Sequence, residues 1–200
     1  MVVVWYLLLC VVMSSTVAQV VRIHSLDIVQ RMAQLAKAEL LVVFDLDDTL
    51  LKSWKEALRS PHALWQNLFT PMQSNAPAIV RWIQDRGVKT IALTARMPLF
   101  ASWTAYQLRR AGFDFSRTLG IGRKTIFPCT KAYCADGIIY TGAAGIAKGR
   151  ALAEAMRLFG ISVPIVLFID NLYENCLAVE QSMREEYPKT TIICLYYHYL

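Results

Sequence analysis

The chain has 200 residues, of which 56% are hydrophobic and 18% charged, and it carries a formal net charge of +6. That is ample apolar material for one ordinary domain, and it excludes general disorder. Lys and Arg form no dense run and do not interleave with aromatics, so no specific nucleic-acid binding is expected; the surplus reads as scattered solvated charge able to attract a phosphorylated small molecule or a macromolecular phosphate.

No Lys or Arg precedes Arg22. Val2 to Met13 has the length and apolarity of a signal-peptide core, and Ser14 to Ala18 follows with small and polar residues before Gln19. Residues 1–18 are expected to be a signal peptide. A membrane anchor or a buried N-terminal strand are the alternatives, since about 20 uncharged residues can just span a bilayer. A signal peptide implies an exported, periplasmic or secreted protein, and contact with a membrane is expected only if this segment is retained. Export implies an oxidising compartment. Cys129 and Cys134 are close enough to close a small loop, although spacing does not set connectivity. Cys176 and Cys194 fall in apolar surroundings and read as buried thiols. The three histidines, His24, His62 and His198, have no acid or cysteine partner at a telling spacing, which argues against zinc.

Residues 19–200 read as one domain. "HSLDIVQRMAQLAKAE" predicts a helix capped by Ser25, with Leu26, Val29, Met32 and Leu35 at helical spacing. "LLVVFDLD" predicts a strand buried on both faces. "APAIVRWIQDRG" predicts a second helix stopped at Gly87, and "VKTIALTAR" a second strand. "TAYQLRRAG" predicts a helix ending at Gly112. Residues 113–134 read as irregular, since Gly120, Gly122 and Pro128 break any pattern. "DGIIYTG" is a short strand, "AKGRALAEAMRLFG" a helix, "VPIVLFID" a buried strand, "NLYENCLAVEQSMREEY" a helix and "TTIICLYY" a last strand. Strand and helix alternate, which predicts an α/β fold: a central, mostly parallel sheet covered by helices on both faces.

In such sheets ligands bind at the carboxyl ends of the strands, where the strand order reverses. That selects Asp45 to Thr49, Thr94 to Arg96, and Asp170 with Asn171, three polar clusters that each follow an apolar run. On an extended chain Asp45 and Asp47 point the same way and Asp48 the other. Asp170 ends another strand and could reach the same point. Three carboxylates and backbone carbonyls suit a hard divalent ion, most naturally Mg²⁺, which would offset their repulsion. Thr94 offers a hydroxyl and a backbone N–H. Lys148 offers a positive charge near a helix start, where the backbone also favours an anion. Carboxylate nucleophile, Mg²⁺, lysine and hydroxyl together suit phosphoryl transfer.

Four stretches resemble the motifs of the haloacid-dehalogenase-like (HAD) hydrolases, in that family's order across residues 41 to 171. "FDLDDTL" is similar to the first motif, "ALTAR" to the second, Lys148 in "AKGRAL" to the third and "VLFIDN" to the fourth. The layout is also similar to exported bacterial proteins of that superfamily whose function is not established. The resemblance implies a three-layer Rossmann-like fold with a minimal cap and a phosphatase acting on phosphomonoesters. Asp45 would attack phosphorus, and Asp47 would protonate the leaving oxygen and later take a proton from water. Thr94 and Lys148 would hold phosphoryl oxygens, with Arg96 beside them in substrate binding. Asp45, the carbonyl of Asp47, and Asp170 would bind Mg²⁺. Thr49 would orient Asp47 or its turn, and Asp48 would serve structure. Where a second acid is common in the fourth motif this chain has Asn171, with Asn175 one turn on, and either could bind the metal.

The Asn171 departure motivates an alternative, a HAD-like protein that binds a partner without turnover. Phosphoryl transfer to an alcohol is a third possibility. A phosphate-loop reading of "TGAAGIAKGR" fails on spacing, with Gly149 where a hydroxyl residue is required. The segment 52–73 is too short for a large lid; Trp54, Trp65 and Phe69 either pack against the core or shape a small apolar wall over the site, and residues 97–134 could add to a lid.

Overall fold

The computed structural model describes residues 20–36, 39–52, 68–119, 124–142 and 147–199. The expected leader, Trp54 and Trp65 lie outside the described residues. In chain order the elements are β1 (Val20–Ile23), α1 (Asp27–Leu35), β2 (Leu40–Phe44), α2 (Ala76–Asp85), β3 (Lys89–Thr94), a 3-10 turn (Pro98–Phe100), α3 (Ala101–Arg110), α4 (Ser116–Leu119), β4 (Thr125–Ile126), β5 (Tyr133–Ala135), β6 (Ile138–Tyr140), α5 (Lys148–Leu158), β7 (Ile165–Asp170), α6 (Tyr173–Glu186) and β8 (Thr191–Tyr197).

The strands form one eight-stranded sheet in the order β1-β8-β7-β2-β3-β6-β5-β4. Pairing is parallel from β1 through β6 and antiparallel at β6-β5-β4. The chain leaves β2 toward β3 on one side, while β7 returns on the other. The carboxyl end of β2 is therefore the switch point.

The two-residue period of a strand builds both cores. Leu40, Val42 and Phe44 of β2 pack on one face with Leu167 and Ile169 of β7, against Val29 and Met32 of α1, Ile79, Val80 and Ile83 of α2, and Leu108 of α3. Leu41 and Val43 pack on the other with Val166 and Phe168, against Leu152 and Met156 of α5 and Val179 and Met183 of α6. This is the three-layer α/β arrangement that the alternating pattern predicts. Each fully buried aliphatic or aromatic side chain contributes about 1.5–3 kcal/mol, so the central strands dominate the apolar stabilisation.

Several expectations are corrected. Val20–Ile23 forms an edge strand beside β8 that the sequence reading did not assign. Residues 113–134 are not irregular throughout: they hold α4, β4 and β5. The strands add to the edge of the sheet, because Asp136 and Gly137, with φ of 52° and 74°, make the tight turn that pairs β5 with β6. Cys129 and Cys134 are free thiols. Cys134 is buried in the core beside Ile139, whereas Cys129 is exposed in the turn that buried Glu154 holds through the N–H groups of Cys129 and Thr130, at 2.7 and 2.8 Å. Those bonds and the Thr130 hydroxyl outweigh burial and keep the Glu154 carboxyl below its ordinary range. Among the described residues no helix is long and apolar enough to cross a membrane.

Helices α5 and α6 pack closely because Gly149 has no side chain. A Cβ there would stand 2.5 Å from the Cβ of Ser182 and 3.0 Å from the carbonyl of Ala178. Gly149→Ala is expected to lower stability by about 1–3 kcal/mol despite the better helix propensity of alanine. Thermal melts should show Ser182→Gly recovering part of the loss. An unchanged melting temperature would show that the helices separate freely.

Candidate functional site

Asp45 directly follows β2, whose odd-numbered residues Leu41 and Val43 face the α5–α6 layer. The register Phe44↔Ile169 puts Asp170 next to Asp45 on the neighbouring strand, and the Asp45 N–H donates to the Ile169 carbonyl at 2.9 Å. Lys148 opens α5 in that layer. Its Nζ donates to Asp45 Oδ1 at 2.5 Å and to Asp170 Oδ2 at 2.6 Å, all three side chains being buried. An ammonium thus bridges two buried carboxylates and offsets one of their two negative charges.

Each carboxylate is further fixed. Thr49 Oγ1 donates to Asp45 Oδ2 at 3.0 Å and accepts the Asn171 N–H at 3.1 Å. Thr49 therefore orients Asp45, where the sequence reading expects it to orient Asp47 or its turn, because the chain coils after Leu46 and brings residue 49 back beneath Asp45. Asp170 Oδ1 accepts the Leu172 N–H at 2.8 Å, and Asn175 Nδ2 lies 3.1 Å from both Asp170 oxygens. Burial pushes the Asp45 carboxyl up to about 7; Lys148 pulls against this, while Asp170 and Asp47 push with it. Burial works to lower Lys148, but Asp45 and Asp170 more than reverse it and hold the ammonium above its ordinary range.

Asp47 lies beyond the strand end and its carboxylate meets a different cation. Arg96 Nε donates to Asp47 Oδ2 at 2.9 Å and Nη2 to Oδ1 at 2.7 Å, a two-pronged pair. The sequence reading sets Asp47 and Asp45 on one face around one ion. In the structure their charges are met separately, by Arg96 and Lys148. Arg96 Nη1 also donates to Gln107 Oε1 at 2.7 Å and to Thr104 Oγ1 at 3.3 Å, and Gln107 in turn donates to the Leu68 carbonyl. Asp48 adopts a φ of 58° and its N–H donates to the Leu51 carbonyl at 2.8 Å, a turn role.

Thr94 ends β3 and is fully buried. Its Oγ1 accepts the Arg96 N–H at 3.2 Å, which leaves the hydroxyl proton for another acceptor. Thr141 holds that strand end through two bonds to the Thr94 carbonyl, at 2.9 and 3.1 Å. Thr104, Gln107 and Thr141 were not singled out from the sequence, because a polar residue in a helix or after a short strand carries no signal until packing gives it a partner. Burial pushes the Cys134 and Cys176 thiols up to about 12, which removes both as nucleophiles near neutrality.

Oxygens of Asp45 and Asp170 converge on one point, the donor chemistry a hard cation requires, and the ammonium of Lys148 holds that point. Among the described residues no group of three or more His, Cys, Asp and Glu side chains is arranged to hold a metal ion. A divalent ion there would draw on Asp45, Asp170, the Asp47 carbonyl and the Asn171 amide, with Lys148 turned off Asp170.

Lys148→Met should leave two buried carboxylates unpaired and destabilise the protein by about 3–5 kcal/mol near pH 8. A carboxyl with a raised folded-state pKa takes up a proton more readily folded than unfolded, so its unfavourable contribution grows as pH rises from about 4 through 7. The deficit of the variant should therefore shrink at pH 5. Melting curves of both proteins at the two pH values check this; an equal deficit at both would mean that the loss is one of packing.

No curated protein matches the chain. A solved structure similar to it is the class C acid phosphatase from Bacillus anthracis, with 13% identity and a TM-score of 0.45 over 82% of this chain and 69% of that one. Residues 66–200 match the family model described as "Protein of unknown function (DUF2608)", and the chain belongs to that family.

Proposed function

We propose that the protein is a magnesium-dependent phosphatase that hydrolyses phosphomonoesters through an aspartyl-phosphate on Asp45, as its four HAD-like motifs imply. The observation that carries this reading is the buried Lys148 ammonium seated between Asp45 and Asp170 at the switch point of the sheet. A carboxylate aimed by a hydroxyl and a lysine, beside a second carboxylate held by a guanidinium, has the parts of a nucleophile and a proton carrier.

An Asp45 oxygen forms a bond to phosphorus as the ester P–O bond breaks. Asp47 is ionised while both its oxygens accept from Arg96, so it must leave that pair and take up a proton from solvent before it gives one to the leaving oxygen. It then takes a proton from the water that attacks the aspartyl-phosphate and frees Asp45. The released guanidinium can pair with a phosphoryl oxygen. Thr94 and Lys148 hold the remaining oxygens and stabilise the charge that develops on them. Asp45, Asp170, the Asp47 carbonyl and Asn171 would hold Mg²⁺, which supplies Lewis-acid stabilisation of the transferring group. We take residues 1–18 to be removed on export, so the mature protein should have a mass short of the full chain by that segment.

A second reading, a binding protein without turnover, is favoured by one observation. Asp170 accepts donors from Leu172, Lys148 and Asn175, so the chain itself satisfies much of its charge. Release of inorganic phosphate from p-nitrophenyl phosphate separates the two. Turnover is expected with Mg²⁺, none with chelator, none in Asp45→Asn, and a rate roughly 10²–10⁴-fold lower in Asp47→Asn. Activity that survives Asp45→Asn sinks the covalent route. Inactivity across a panel of phosphorylated metabolites supports the binding protein, and phosphorylated product on adding an alcohol would identify a transferase.

A further inference from the structure

Helix α3 has two unlike sides. Its inner side is buried: Ala105 and Leu108 pack in the core, and Thr104 and Gln107 hold the guanidinium of Arg96. Its outer side, with the turn before it, is apolar and open. Leu99 is 84% exposed, and Met97, Phe100, Trp103 and Tyr106 are each at least 41% exposed. Trp103 and Tyr106 pack against Phe69, at ring-centroid distances of 6.0 and 5.9 Å, which extends the apolar surface onto the neighbouring loop. Soluble proteins rarely leave five large apolar side chains open within ten residues.

The charged side chains that α3 adds beside this face are both cationic. Arg109 and Arg110 are exposed in the last turn of α3, and the Arg110 guanidinium lies 6.0 Å from the Phe69 ring centroid. Trp103, Tyr106 and Arg110 follow one another at helical spacing, so the stripe runs from bulky apolar groups to aromatics to cations. An anionic bilayer fits both features: apolar side chains enter the acyl boundary and arginines meet lipid phosphates.

We propose that the face formed by Met97, Leu99, Phe100, Trp103 and Tyr106, rimmed by Arg109 and Arg110, docks on the surface of an anionic lipid bilayer. This contact is independent of residues 1–18 and of the phosphatase reading. Because Thr104 and Gln107 of the same helix hold Arg96, docking brings the candidate site to the headgroup layer.

The test uses the full chain with vesicles of phosphatidylcholine alone or mixed equally with phosphatidylglycerol, some carrying brominated acyl chains. The protein should partition onto the anionic vesicles, less so at high salt. Bromolipid should quench part of the tryptophan emission, and Trp103→Phe should remove that part. Because the two proteins differ only at residue 103, membrane contact by another segment leaves this comparison unchanged. Arg109→Ala with Arg110→Ala should weaken partition on the order of 30-fold. Leu99→Asp, at an exposed position, should leave the melting temperature unchanged and weaken partition on the order of 10-fold. Equal quenching in Trp103→Phe, or equal partition of the arginine variant, overturns the proposal. So does a concentration-dependent dimer that Leu99→Asp abolishes, or tighter binding to polyglutamate than to the vesicles.

Discussion

The ammonium of Lys148 between the carboxylates of Asp45 and Asp170 is the interaction on which the rest of the site depends. Two acids at the ends of adjacent parallel strands, both buried, repel each other strongly at low dielectric. One buried cation reverses that repulsion, and it reaches the pair because α5 lies over the face of the sheet to which Asp45 points. The close packing of α5 on α6 through Gly149 fixes where that helix begins. The electrostatics at the strand ends and the packing of one helical layer are thus one problem with one solution.

The second cation solves a different problem. Arg96 takes both oxygens of Asp47 and is itself held by Gln107 and Thr104. Helix α3 therefore reaches the site through hydrogen bonds, while its opposite side carries the open apolar stripe. Inner and outer faces of one ten-residue helix serve the site and the surface respectively. Thr49 plays a comparable linking role, since its single hydroxyl joins Asp45 to the first residue after β7.

Much of this was legible in the residues. Short, partly β-branched apolar runs such as Leu40–Phe44 and Ile165–Ile169 read as strands buried on both faces, and helices between them favour parallel pairing. The polar residues where those runs end then fall together at the carboxyl ends of the strands, which selects Asp45, Thr94 and Asp170. Short elements were less legible. Strands of two and three residues, Thr125–Ile126 and Tyr133–Ala135, are too brief for a period to register, and the Asp136–Gly137 turn that pairs the second with β6 was read as the start of a strand.

What the sequence by itself determined is the alternation of strand and helix and the placing of acids at strand ends, because both are local consequences of hydrophobic period and chain direction. Which charge meets which was decided by tertiary structure alone. Asp45 pairs across 103 positions with Lys148, and Asp47 across 49 with Arg96, although the two acids are neighbours. The chain coils after Leu46, and the two neighbouring acids meet different cations. Thr49, Gln107 and Thr141 likewise gained their roles only when folding supplied partners, since a hydrogen bond between distant residues leaves no mark on the local pattern of either.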